Sequence, residues 1–403
     1  MQPDATSEAR PPAASAALLT WVSRLSFIVF AGSSATLSVS LKQIGEDLGL
    51  GDAKLGSLGL ARSLALATAA LVSGFAADRF GKKRFLIAGM AAGAAGVVGV
   101  SSADSLPALL AFLALTGVGL GVLESLVSPL VAELHPDDVG FQVNILHGFF
   151  PLGIIGTSLI VSQALSRGAS WRAPFAIVGA GFAAAMVGFA AGRYPGGRAG
   201  AAAPLRLQEL AANRTFRLLA AAMFFGAAAE GGLFYWAPKF VQDEFLVTPA
   251  VGGLALTLFS ITMMAGRLGL SGTVRRGGAA GLTAGLALLG AGASACMAFA
   301  PTVHAALVFA GVCGLSVSLF WPGVLTVAAE GISVSSARVF ALLSVVGIAG
   351  FGLAPPAIGL ITEAYDLRRG LVVVPVCCAA FCVLMVLAAA RGRRGVGRSR
   401  GAL

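Results

Sequence analysis

Twelve apolar runs, each about 20 residues long, constrain this chain more than any other feature. In hydrocarbon the backbone N–H and C=O groups have no water to bond, so a run of that length crosses only as a helix. The runs cover 17–41, 54–77, 85–102, 107–132, 141–166 and 172–192, then 215–243, 250–271, 280–301, 304–329, 337–362 and 369–390. Hydrophobic residues make up 57% of the chain and charged residues 11%, against roughly 25% charged in soluble domains. The expected fold is an all-α integral membrane protein with twelve transmembrane helices. Arg24 interrupts the first run and no small-residue cleavage site follows, so that run reads as a retained helix rather than a signal peptide.

Polar segments divide the runs. Residues 1–16 read as a disordered tail, 17–192 as an N-terminal six-helix bundle and 193–214 as a linker. A C-terminal six-helix bundle over 215–390 and a basic tail at 391–403 complete the chain. Between the second and third runs, 74–84 form a short charged island containing Gly74, Asp78, Arg79, Gly81 and Lys82. Its cations suit a tight connection in the cytoplasm. Alternating from there places both termini, the linker and the 275–276 arginines on the same side, as the positive-inside rule demands. The net charge of +10 therefore reads as topology. No basic stripe interleaved with aromatics accompanies it, so nucleic acid is not an expected partner.

The halves repeat. A constant shift of 197 residues pairs Lys42 with Lys239, Asp47 with Glu244 and Gly56 with Gly253. It also pairs Arg79 with Arg276, Gly81 with Gly278, Gly117 with Gly314 and Glu133 with Glu330. Two pseudo-symmetric six-helix bundles related by an axis along the membrane normal are a transporter architecture, with the site at the midplane.

Gly74, Asp78, Arg79, Gly81, Lys82 and Lys83, followed by Leu86, resemble the loop signature of the major facilitator superfamily, with Ala76 where a leucine is usual. The resemblance implies a rocker-switch fold, alternating access and a monomer. It also implies a small-molecule substrate and a multi-pass protein of the cell (inner) membrane.

Ionisable groups inside lipid are costly and therefore candidate functional residues. Arg62, Glu124, His147 and Glu230 lie away from the run ends. Arg24 and Arg267 lie nearer the cytoplasmic boundary, where a long side chain reaches the interface, and read as anchors. Glu124 has Ser128 one turn on and Pro129 beside it; it can exchange a proton, or pair permanently with Arg62. Asn144, His147 and Pro151 recur on one helical face and can bond either hydroxyls of a solute or neighbouring helices. The seventh run carries Glu230, two glycines, Tyr235, Trp236 and Pro238. Trp236 and Trp321 offer flat surfaces to a ring, or simply pack. Together these features are similar to the fucose–proton symporter branch of the superfamily. That resemblance implies Glu124 as the coupling acid and Asn144 on the substrate. The first run departs from the branch, carrying Ser33, Ser34 and Thr36 where an Asp is found.

No P-loop, nucleophile–base pair or metal cluster is present, so the chain is not expected to be an enzyme and no cofactor is expected. The five cysteines lie in apolar runs without CxxC spacing, as buried small hydrophobes do. Proton-coupled symport of a sugar or similar polar solute is the leading expectation. A proton-driven exporter of drugs or metabolites, an organic-anion carrier built on Arg62 and a non-transporting receptor are the alternatives.

Overall fold

The computed structural model describes residues 11–195, 207–273, 278–332 and 336–400. The tail at 1–10, most of the linker (196–206), the arginines at 275–276 and residues 401–403 lie outside the described residues. So do the side chains of Asp78, Glu330 and 391–400. Every regular element among the described residues is helical. In chain order they are α1 Ala13–Leu48, α2 Asp52–Phe80, α3 Lys82–Ser102, α4 Leu106–Leu134, α5 Val139–Ser166 and α6 Arg172–Ala191. Then come α7 Leu207–Ala212, α8 Arg214–Phe245, α9 Pro249–Thr273, α10 Ala279–Ala298, α11 Val303–Val317 and α12 Phe320–Gly331. The last are α13 Ser336–Ala364, α14 Leu367–Gly370 and α15 Val373–Arg400. Twelve spans among them are long and apolar enough to cross a membrane, in agreement with the twelve runs.

Several boundaries differ from the sequence reading: α7 lies within the expected linker, the run 369–390 is divided between α14 and α15, and α15 continues to Arg400. Three further differences have a plain physical reason. The first helix starts at Ala13, inside the expected tail, and runs to Leu48 instead of ending near 41. Its polar last turns carry Lys42, Glu46 and Asp47, whose charges give no apolar signal. The charged island is mostly not a loop. Gly74, Asp78 and Arg79 belong to α2, Lys82 opens α3, and the connection between them is Gly81 alone. Gly81 has φ 85° and ψ 137°, a backbone region essentially reserved for glycine. Finally, the expected helix 304–329 is broken at Ser318 and Leu319. Pro322 has no N–H to give the carbonyl four residues back, and its ring crowds that carbonyl.

The chain forms two compact units. One comprises Met1–Ser34, Leu64–Gly156 and Ser170–Ala203, the other Ala35–Ser63, Thr157–Ala169 and Pro204–Leu403. In the first, α3 packs on α4 and α6. Where α3 begins, Lys82 donates to the Glu133 carboxylate. Lys83 Nζ donates to the Gly192 carbonyl at 2.9 Å, which ties the end of α6 to the start of α3. Burial raises the titration of the Tyr194 hydroxyl beyond its ordinary range, and that hydroxyl donates to the Phe189 carbonyl at 3.2 Å.

The second unit contains a seam in which the far ends of α1, α2 and α5 meet α8, α9 and α13, and there the 197-residue repeat acquires geometry. A Cβ on Gly56 would come 2.6 Å from the Pro355 carbonyl oxygen; on Gly253, the repeat mate, it would come 3.2 Å from the Ser158 carbonyl oxygen. Ser158 and Pro355 are themselves repeat mates. Likewise the Ala53 N–H donates to Glu363 Oε2 at 2.9 Å and the Ala250 N–H to Ser166 Oγ at 2.7 Å, again two mated pairs. These bonds satisfy first-turn amides of α2 and α9 that have no partner within their own helices. Charges close the seam: Lys42 meets Asp243 at 2.8 Å and Lys239 meets Asp52 at 2.8 Å. Gln43 Nε2 donates to Gln242 Oε1 at 2.9 Å.

Because only the backbone conformation, and no neighbour, resists a side chain at Gly81, Gly81→Ala is expected to destabilise the protein by about 1–3 kcal/mol. Gly140→Ala, at a helical glycine with open space around it, is expected to be neutral or slightly stabilising. Thermal unfolding of the purified variants in detergent checks both; equal melting temperatures for the two would contradict the strain.

Candidate functional site

The polar residues proposed from the sequence fall into two clusters, one in each unit. In the first unit, α1, α4 and α5 converge. Ser128 on α4 and His147 Nε2 on α5 are 3.1 Å apart, and the His147 ring stands edge-on to Phe27 of α1 with centroids 5.0 Å apart. Phe30 and Phe150 make a second edge-on contact at 5.4 Å. Arg24 donates to Gln142 Oε1 at 3.0 Å and lies 4.6 Å from the Trp21 ring centroid. The sequence allowed His147 to bond a solute or a neighbouring helix, and here one nitrogen bonds a helix. Glu124, one turn before Ser128, is half-buried, and Asn144 is exposed, one turn before His147. The face thus offers a carboxylate, an amide and an imidazole within two turns of two adjacent helices.

The second cluster centres on Glu230 in α8. Only 7% of this residue is exposed, yet its Oε2 has no hydrogen-bond partner among the described residues. The Trp321 side chain, from the first turn of α12, and Arg267 of α9 both lie close enough to act on the carboxylate electrostatically. Arg267 Nε itself donates to the Ser318 carbonyl at 3.3 Å. The absence of a side chain on Gly347 lets the Trp321 ring lie against α13, where a Cβ would come within 2.6 Å of it. A buried carboxylate with one oxygen available can take up a proton or accept a bond from a hydroxyl. The indole face beside it suits the C–H side of a ring.

The other expected residues sit elsewhere. Trp236 is fully buried, and its indole N–H donates to the Pro355 carbonyl at 3.1 Å. Beside it the Tyr235 hydroxyl donates to the Leu55 carbonyl at 2.7 Å, so both rings belong to the seam. Arg62, 4% exposed, lies in the second unit near Tyr235, whereas Glu124 belongs to the first. Sequence reasoning overlooked Arg267, taken for an anchoring side chain, and the cross-strung charges Lys42, Asp52, Lys239 and Asp243. A signal did exist for the latter: Lys42 with Glu46 and Lys239 with Asp243 are i,i+4 pairs at the repeat offset.

Comparison with known proteins follows the same lines. The family model described as Major Facilitator Superfamily matches residues 25–279. The membrane protein MosC of Rhizobium meliloti is 33% identical over 151 residues, a match spanning 37% of this chain and 36% of that protein. Among solved structures, the nucleoside transporter NupG superposes with a TM-score of 0.74 at 15% identity, covering 94% of this chain and 99% of that one. A D-xylose–proton symporter gives 0.75 at 13% identity, with 91% and 96% covered. The E. coli fucose:proton symporter FucP gives 0.65 at 17% identity, with 93% and 99% covered. At these identities the structural likenesses establish the fold.

The two tryptophans should separate by experiment. Trp236→Phe removes a buried donor and leaves the Pro355 carbonyl unmet, so it is expected to cost about 1–3 kcal/mol of stability. Trp321→Phe leaves no backbone carbonyl unmet and should keep the melting temperature closer to wild type. A Trp236→Phe protein that melts like wild type would contradict the assignment of that ring to the seam.

Proposed function

The chain belongs to the Major Facilitator Superfamily, and from that premise we propose that this membrane transporter carries a sugar or similar small polar solute together with protons. The observation that carries the reading is Glu230: a carboxylate inside a membrane span, 7% exposed, with one oxygen unpartnered among the described residues. Burying an ionised carboxylate without full pairing is costly, so such a group is held for a task. Taking up a proton removes the charge; releasing it restores an acceptor for solute hydroxyls or an incoming cation. Glu124, with His147 and Asn144 on the adjacent helix, supplies a second place where protons and hydroxyls are handled. Trp321 gives the apolar face of a ring something to lie on.

In this reading the Gly81 end faces the cytoplasm of a cell with the protein in its inner membrane, both termini lie on that side, and the working unit is a monomer. Halves 17–192 and 215–390 move about the linker 193–214. Access from the opposite side then requires the Lys42–Asp243 and Lys239–Asp52 pairs and the shared helix caps to part, and their reformation seals that side again. The short polar reach of these contacts makes them separable without unfolding any helix.

Uptake of labelled sugars and polyols into proteoliposomes under an imposed proton gradient tests the proposal. Wild-type protein is expected to accumulate at least one of them, and collapsing the gradient should abolish accumulation. Glu230→Gln and Glu124→Gln should each reduce gradient-driven accumulation tenfold or more, the range in which losing a proton-transfer group is felt. Accumulation that ignores both the gradient and the two substitutions would overturn the reading.

A further inference from the structure

Pro322 deprives the Ser318 carbonyl of its helical donor, and Arg267 supplies a replacement. In an unbroken helix the residue at 322 would give its N–H to that carbonyl; a proline cannot. Instead the Arg267 Nε donates to it at 3.3 Å. Gly266, the neighbour of Arg267, lets α9 approach this point, since a Cβ there would come 2.5 Å from Ser318 Oγ. Ser318 is fully buried, and its Oγ has no partner among the described residues. Three residues further on, Trp321 lies beside Glu230, whose Oε2 likewise has no partner among the described residues. One guanidinium thus holds one acceptor and acts electrostatically on another, and among the described residues it forms no ion pair while it holds the carbonyl.

We infer that Arg267 is a positioning residue that exchanges between the Ser318 carbonyl and the Glu230 carboxylate, tying the proton on Glu230 to the joint between α11 and α12. With Glu230 protonated and neutral, Arg267 stays on the carbonyl, which is the arrangement seen here. When Glu230 releases its proton, the buried anion attracts the guanidinium, because a charge-assisted bond outweighs a neutral one. The Ser318 carbonyl then loses its donor, and the joint that carries Trp321 loosens.

Arg267 is the cation that acts electrostatically on Glu230. Of the elements packed on α8, α9 presents Arg267, α2 presents Asp52 and the buried Arg62, α11 presents His304 and Cys313, α13 presents Glu363, and α15 presents the thiols Cys377, Cys378 and Cys382. On α8 itself Tyr235 is engaged by the Leu55 carbonyl and Lys239 by Asp52 and Asp243. The inference rests on Glu230 being the proton-carrying group proposed above.

The test uses the full-length protein in detergent and follows the pH dependence of the Trp321 fluorescence, isolated by difference against Trp321→Phe. In wild type the signal should titrate. In Arg267→Gln the midpoint should rise by about 1 pH unit, since an opposite charge no longer favours the carboxylate. Pro322→Ala returns an N–H to the Ser318 carbonyl, frees Arg267 for Glu230 and should lower the midpoint. Opposite shifts support the switch, and Pro322→Ala supplies a readout that leaves Arg267 in place. Midpoints that do not move, or that move in the same direction, overturn it whatever the uptake assays give. Opposite shifts in a protein that accumulates no sugar would support the switch and overturn the transport reading instead.

Discussion

Hydrocarbon gives a backbone amide nothing to bond, and the rest of this structure depends on that. Each crossing segment has to close its own hydrogen bonds, so the apolar runs become helices. Wherever a helix is interrupted, some other group must take over the orphaned partner. The break after α11 shows the rule at work: Pro322 withholds an N–H, and Arg267 meets the Ser318 carbonyl. The first-turn amides of Ala53 and Ala250 show it again, satisfied by Glu363 and Ser166 from other helices.

The same constraint explains why the polar residues inside the spans are few and grouped. An isolated ionisable side chain would be expensive there, so such groups gain by meeting one another. His147 meets Ser128, Trp321 and Arg267 lie by Glu230, and the seam pairs Lys42 and Lys239 with acids from other helices. The seam also shows what an internal repeat does physically. Gly56 and Gly253 admit the backbones at Pro355 and Ser158, so one packing solution serves twice, with chemically different caps at Glu363 and Ser166.

Much of this was legible in the residues. The twelve runs located the helices, and the 197-residue offset anticipated contacts that the seam makes in matched pairs. Glu230 and Trp321 were both recognisable as candidates, although nothing in their separation of ninety-one positions said that they touch. Trp236 and Trp321 looked alike, since an aromatic in an apolar run carries no mark of its neighbours. One donates to the Pro355 carbonyl and the other lies beside the Glu230 carboxylate. Lys42, Glu46 and Asp47 seemed to end the first helix because charge ordinarily marks a membrane boundary. Partners on α8 let that helix continue to Leu48.

By itself, the order of residues determined the helix count, the all-α membrane architecture, the repeat and the glycine at the α2–α3 turn. These follow from local quantities: run length, backbone freedom and the distribution of charge along the chain. Tertiary structure alone decided which polar groups meet, because a hydrogen bond depends on distance between side chains that the chain separates widely. It assigned Trp236 to packing, left one oxygen of Glu230 without a partner among the described residues, and turned Arg267 from an apparent anchor into the donor that a proline had made necessary.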